Sequence, residues 1–299
     1  MKREELQVRP LVSPPVTLHV TEYGDRGRAG SGTTHVLLVH GFPDDQRMWE
    51  PVVEALPSDW HVITYDVRGS GRSTRPDGRS AYRSALLVED LIAVLDATLP
   101  PGEKVHLVAH DWGSIAGWDV LAAETWDPRL EGRVASYTSS SGPSLDHLGS
   151  LAETWSGRVR LLPQVLRSWY VWLFLVPWLP ELVWRHLQLL VRPIVRRLDP
   201  TTDLLRWDKE MGRNATHSVD LYRANVVPRL RHPLPWRTSV PVLLIVATRD
   251  FWVVPRSVAG LEARCRDLTR IEIEGGHWWL RARPEECARI VTAFVLDHS

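Results

Sequence analysis

The sequence predicts an α/β fold: one core with a mainly parallel sheet, helices on both faces, and an inserted helical cap. Three observations carry this reading. Short, continuously apolar runs of strand length recur between stretches whose apolar residues have helical spacing, the rhythm of a parallel sheet covered on both sides. The rhythm stops after Gly142 and resumes near Val240. Between those points the chain reads as consecutive helices with Pro at many boundaries.

In chain order, residues 16–23 alternate apolar and polar positions like a half-buried strand, and 35–39 form a short apolar run like a fully buried one. The runs 61–65, 105–109 and 134–138 repeat the buried pattern, with helical stretches at 83–98 and 114–123. After the insertion, 240–247 and 270–273 read as strands and 284–296 as a closing amphipathic helix. The expected division is therefore a core of residues 1–143 and 236–299 with a cap of 144–235.

Composition narrows the function classes. At 299 residues, with 44% hydrophobic and 24% charged residues, the chain has the balance of a folded soluble enzyme. Its 36 basic and 36 acidic residues cancel, which removes the simplest electrostatic case for binding nucleic acid. All the basic residues except Lys2, Lys104 and Lys209 are Arg, a bias we assign to genomic composition. Cys265 and Cys287 have neither metal-ligand nor redox spacing and read as free thiols. Residues 1–15 alternate charge with Pro and lack the apolar core of a signal peptide, so a cytoplasmic location is expected.

The most apolar stretch, 169–180, is broken by Pro177 and Pro180. It is shorter than the roughly 20 residues a membrane span needs. The apolar wall of a substrate pocket is its first reading, and peripheral contact with lipid the second.

The segment 105–114 runs from an apolar strand through Ala109-His110-Asp111-Trp112-Gly113 into a helix. This is the nucleophile-elbow pattern with Asp where serine hydrolases carry Ser. Small residues at 109 and 113 suit the tight turn, and Ala109 stands where Gly is usual. Taken alone, Asp111 could equally cap the following helix, because Asp is a common N-cap. The next motifs shift that balance. His40-Gly41-Phe42-Pro43 follows a strand and can present the Phe42 N–H beside the elbow. With the Trp112 N–H it would form an oxyanion hole. The Gly-rich run 66–73 lacks the Walker lysine and the dinucleotide fingerprint, so it reads as loop support. Asp250 and His277 each lie just past a strand and complete the order nucleophile, acid, histidine. His277 would be the base, and Asp250 would fix its tautomer and balance its charge.

His40-Gly41-Phe42-Pro43, His110-Asp111-Trp112-Gly113, Asp250 and Gly276-His277 together resemble the epoxide hydrolases of the α/β-hydrolase fold, over essentially the whole chain. The same motifs occur in haloalkane dehalogenases, so the cap must discriminate. The resemblance implies two cap tyrosines that donate hydrogen bonds to the epoxide oxygen. Tyr222, in Leu221-Tyr222-Arg223-Ala224-Asn225, matches the second of them, and Tyr170, in Trp169-Tyr170-Val171-Trp172, the first. By itself Tyr170 would read as a core aromatic. Ser141-Gly142-Pro143, Arg167-Ser168-Trp169-Tyr170 and the Tyr222 region also resemble the hydrolase half of bacterial proteins that fuse such a domain to a short-chain dehydrogenase/reductase. These likenesses imply an apolar, lipid-like epoxide substrate and neither a metal nor an organic cofactor. Haloalkane dehalogenation and a catalytically silent, ligand-binding α/β protein are the alternatives.

Overall fold

The computed structural model describes residues 1–299. Its strands are β1 (Arg3–Val8), β2 (Leu18–Tyr23), β3 (His35–Val39), β4 (His61–Tyr65), β5 (Val105–His110), β6 (Val134–Ser140), β7 (Val242–Ala247) and β8 (Leu268–Ile273). They form one sheet in the order β1-β2-β4-β3-β5-β6-β7-β8. β1 pairs antiparallel with β2 and β2 with β4, and every other pairing is parallel.

The helices of the sheet layers are α1 (Glu50–Ala55), α2 (Ser84–Thr98) and α3 (Trp112–Ala123) before the insertion. Six helices follow β6: α4 (Leu145–Glu153), α5 (Trp155–Arg167), α6 (Trp169–Leu175), α7 (Leu179–Leu182), α8 (Gln188–Leu198) and α9 (Lys209–Arg231). A π turn, Val183–Leu187, joins α7 to α8. The chain closes with α10 (Trp279–Ala282) and α11 (Pro284–Leu296).

The central strands are apolar throughout because each face meets a different layer of core. Leu37 and Val39 of β3 pack with Leu91 and Leu95 of α2, while Val36 and Leu38 point into the layer containing Val52 of α1 and Phe294 of α11. In β7, Val242, Leu244 and Val246 face the first layer, and Leu243, Ile245 and Ala247 the second. Alternation is a property of the strand backbone, and burial on both sides erases its polar half.

The sheet begins earlier than the sequence pattern suggests. β1 is an edge strand of sequence Arg-Glu-Glu-Leu-Gln-Val in which only Val8 is buried. Charged side chains are tolerated at an edge and protect it from further pairing, so no apolar period marks it. β8, the opposite edge, starts at Leu268, two residues before the apolar pattern, for the same reason.

The direction of winding reverses between β3 and β5, which lie side by side. At such a switch point the loops leaving the two strands diverge and leave a crevice at their carboxyl ends. His40–Phe42 leave β3 there, and Asp111 leaves β5.

Candidate active site

Asp111 occupies the turn from β5 into α3 with φ 51° and ψ −121°, a conformation rarely adopted by residues other than Gly. Holding it there costs about 1–3 kcal/mol of backbone strain. The surroundings enforce it: the Asp111 N–H donates to Ser140 O at 3.1 Å, and Gly113 lets α3 pack against the backbone of Val39 and His40. Although Asp111 stands at the N-cap position, its side chain accepts no hydrogen bond from the helix. The capping alternative therefore does not hold.

Its carboxylate points to the β3 loop instead. Oδ1 accepts the Phe42 N–H at 2.6 Å. Gly41 makes this approach feasible, because a Cβ there would collide with the Asp111 side chain and the Trp112 nitrogen. His40 braces the loop: its Nε2 accepts the Val67 N–H at 2.9 Å, and its Nδ1 donates to Gly41 O at 3.0 Å. Pro43 lines the adjoining cavity. As the first N–H of α3, that of Trp112 has no partner within the helix. The run 66–73 supports these loops, with Asp66 Oδ1 accepting the Gln46 N–H at 2.9 Å and Arg68, fully buried, paired with Asp90 at 2.6 Å.

Oδ2 of Asp111 lies 3.5 Å from His277 Nε2, and His277 Nδ1 lies 2.9 Å from Asp250 Oδ2. Asp250 Oδ1 accepts the N–H groups of Trp252 and Val253 at 2.7 and 3.0 Å, which sets the angle of its carboxylate. Burial opposes a charged imidazole, but the Asp250 carboxylate and the hydrogen bond to Asp111 outweigh it and hold His277 at about 10. For Asp111, burial acts upward, and the hydrogen bond and charge of His277 overcome it, leaving the carboxyl below its usual range. The resting pair is thus carboxylate and imidazolium. His110, against the His277 ring at 4.7 Å, is pushed down to about 4 by burial and by His277, so it stays neutral and donates Nε2–H to His277 O at 2.9 Å.

Sequence reasoning missed the residues that hold these groups. Asp199, fully buried beyond α8, accepts the His277 N–H at 2.8 Å, and Thr201 Oγ1 accepts the Trp278 N–H at 3.1 Å. On α5, Gln164 accepts the Val254 N–H at 2.7 Å and donates to Trp252 O, while Arg167 donates to Asp250 O at 3.2 Å. Asp44 joins the first loop to the last by accepting the Trp278 indole N–H at 2.7 Å. Of these only Arg167 falls in a run singled out from the sequence, where nothing marks its contact with Asp250. The others belong to no local motif, so spatial proximity alone reveals their roles. Asp199→Ala leaves the buried His277 N–H unpaired and is expected to lower stability by about 1–3 kcal/mol in urea unfolding. An unchanged midpoint would show that Asp199 does not anchor the histidine loop.

The inserted helices bring Tyr170 (α6) and Tyr222 (α9) over Asp111, with ring centroids 6.2 Å apart. Tyr222 meets Trp112 edge-on at 4.8 Å and Phe42 at 5.4 Å, and Tyr170 meets Trp252 at 4.9 Å. Burial, with the Asp111 charge in support, pushes the Tyr170 phenol above its usual range. Burial does the same to Tyr222. Both rings therefore remain protonated hydrogen-bond donors. Their flanking residues set the spacing: Arg223 Nε donates to Phe174 O at 2.8 Å and ties α9 to the end of α6, and Asn225 accepts the Ser84 N–H at 2.8 Å.

Asp111, Phe42, Tyr170, Tyr222 and His277 line a predominantly apolar cavity of about 310 Å³. A second apolar cavity of about 220 Å³ lies beside it and shares Asp111, Tyr170, Tyr222 and Trp252. The run 169–180 contributes Trp169, Leu173, Phe174, Leu179 and Pro180 to the larger one. Cys265 and Cys287 are buried free thiols outside both cavities.

The chain is 36% identical to "Probable oxidoreductase EphD" of Mycobacterium tuberculosis over 303 residues, covering 97% of this chain and 50% of that protein. It therefore spans about half the length of that relative. It is 28% identical to epoxide hydrolase 3 of Mus musculus, covering 98% of this chain and 77% of the mouse protein. The crystal structure of Bacillus megaterium epoxide hydrolase in complex with an inhibitor superposes with a TM-score of 0.75 at 22% identity, over 98% of this chain and 100% of that one, a likeness of fold. Residues 34–280 match the family described as alpha/beta hydrolase fold. With the sheet order, the switch-point crevice and the elbow at Asp111, that match shows that the chain belongs to the α/β-hydrolase fold family.

Proposed function

We propose that this chain is an epoxide hydrolase that opens an apolar, lipid-like epoxide to a vicinal diol through an ester on Asp111. The observation that carries the reading is one carboxylate flanked by two protonated tyrosines in an apolar cavity, with an imidazole 3.5 Å from its outer oxygen. In this reading residues 1–143 and 236–299 are the catalytic core, and 144–235 are the cap that supplies both tyrosines. The names of the mouse and Bacillus relatives support the reaction class. The coverage and name of the mycobacterial relative support the kinship with the hydrolase half of dehydrogenase fusions.

Oδ1 of Asp111 is engaged by Phe42, which leaves Oδ2 as the attacking atom. Oδ2 forms a bond to a ring carbon while the C–O bond opposite breaks and its electron pair moves to the epoxide oxygen. Tyr170 and Tyr222 donate hydrogen bonds to that oxygen as its charge develops. It takes up the proton that the His277 imidazolium gives up once Asp111 is esterified, which leaves His277 neutral. His277 next takes a proton from water, and the resulting hydroxide adds to the Asp111 carbonyl carbon. The oxyanion forms on Oδ1, between the Phe42 and Trp112 N–H groups. Collapse breaks the Cγ–Oδ2 bond of Asp111, so Oδ2 leaves with the diol while the water oxygen stays in the carboxyl group. His277 gives its proton to the departing diol, and the Asp111 carboxyl then ionises to His277, which restores the resting pair.

Single turnover in heavy-oxygen water tests this path. The first diol is expected to carry an unlabelled oxygen taken from Asp111, with label entering the carboxylate. Label appearing directly in the first diol overturns the ester. Halide release from haloalkanes without diol formation from epoxides assigns the site to dehalogenation instead.

A further inference from the structure

The outer face of the inserted helices is unlike the rest of the surface. Of the 20 large hydrophobic residues that are exposed, 15 lie between Trp155 and Ile194. On α5, Trp155, Val159, Leu162 and Leu166 recur at intervals of four, three and four, the spacing of a buried stripe. Yet Trp155 is 79% exposed and Leu166 68%. α8 has no buried residue at all, and Leu190, 69% exposed, stands with Leu187 and Ile194 on one side of it. Two amphipathic helices thus present their apolar stripes outward.

Charge accompanies the stripes. The same face carries Arg158, Arg185, Arg192, Arg196 and Arg197, all exposed, whereas Arg160 and Arg167 of α5 turn to Ala259 O and Asp250 O of the core. Arg192 and Arg196 share Asp203, and the other three have no carboxylate partner. The lone acid of this stretch, Glu181, is paired with Arg223. Both cavities open here: Trp169, Leu173 and Ile194 line the larger one and are also exposed, and Val165 and Trp172 do the same for the smaller.

We propose that this face, formed by α5, α6 and α8, docks on an anionic lipid bilayer. The apolar stripes enter the acyl boundary, and the arginines lie along their stems with guanidinium groups at the phosphates. No helix is long and apolar enough to cross a membrane, so the contact is interfacial. A second copy of the chain is a poorer occupant, because a two-fold contact would set this arginine field against itself. The docking rests on the helix surfaces alone. Its consequence, that an apolar epoxide passes from lipid to Asp111 without crossing water, rests also on the proposed reaction.

Flotation of the full chain with vesicles tests it. Binding is expected to vesicles of phosphatidylcholine containing phosphatidylglycerol, to be weaker on phosphatidylcholine alone, and to fall with salt. Arg185→Gln and Arg197→Gln should each weaken it about fivefold, from roughly 1 kcal/mol per basic residue near an anionic surface. The joint variant Trp155→Ser, Val159→Ser, Leu162→Gln and Leu166→Gln, outside both cavities, should lose flotation yet hydrolyse a water-soluble epoxide at the unaltered rate. Absence of flotation on anionic vesicles overturns the proposal, as does flotation unaffected by these substitutions. A stable dimer that the joint variant disrupts, without vesicle binding, also overturns it and assigns the face to protein contact. Flotation without epoxide turnover retains the docking and rejects the reaction, so the two failures are separable.

Discussion

His277→Gln is expected to stop the cycle at the Asp111 ester, lowering steady-state turnover by about 10²–10⁴-fold, the usual contribution of a positioned general base. Intact mass should rise by one substrate mass, and peptide mapping should place it on Asp111. Gln retains the size and polarity of the ring without its basicity, so ring opening continues while hydrolysis fails. An inactive variant that gains no mass would remove His277 from the second half-reaction. The electrostatics add a pH signature. His277 is held at about 10 while Asp111 is charged, hence it is protonated at neutral pH and unable to accept a proton. In the proposed cycle, esterification removes the Asp111 charge and with it part of what holds the imidazolium, so the pKa is expected to fall and free the base for the second half-reaction. Ester formation should be flat across neutral pH, because the carboxyl lies below its usual range. Ester hydrolysis should rise with pH until the imidazole is neutral. A hydrolysis rate that declines as pH rises contradicts this order of events.

Replacing Tyr170 and Tyr222 by Phe is the second large effect expected. In the proposed reaction each phenol supplies one donor to an oxygen that becomes an alkoxide, and loss of one preorganised donor typically lowers kcat by roughly 10²-fold or more. The double variant should leave ring opening undetectable while its fold persists, because the rings stay packed against Trp112, Phe42 and Trp252. Rapid-quench measurement of ester formation separates this from an effect on hydrolysis. A double variant that forms ester at the unaltered rate would return Tyr170 and Tyr222 to the role of core aromatics and favour halide chemistry at the same carboxylate.

Arg223 and Asn225 explain why the surroundings of Tyr222 are more informative in sequence than those of Tyr170. They tie α9 to α6 and to the start of α2, so the tyrosine and its supports lie within one turn of helix. Tyr170 gains its meaning only from partners on other elements, Tyr222 and Trp252 among them.

The central strands and the order Asp111, Asp250, His277 were legible because a parallel sheet writes burial into continuous apolar runs and delivers its functional residues to strand ends. β1 was not, since an edge strand keeps its charges. Asp111 as nucleophile or as cap is one local pattern with two outcomes. A φ of 51° and a Phe42 N–H that approaches from another strand take the carboxylate away from the helix and so remove the cap, leaving the nucleophile as the proposed role. The apolar stripe of α5 has the spacing of a buried face, yet the tertiary structure turns it to solvent. Periodicity records that a helix has two faces. Which of them meets the core depends on how α5 packs on α4 and clamps the Asp250 loop through Gln164 and Arg167. Local chemistry is therefore readable along the chain, whereas Asp199, Gln164 and the outward stripes required the packing of segments distant in sequence.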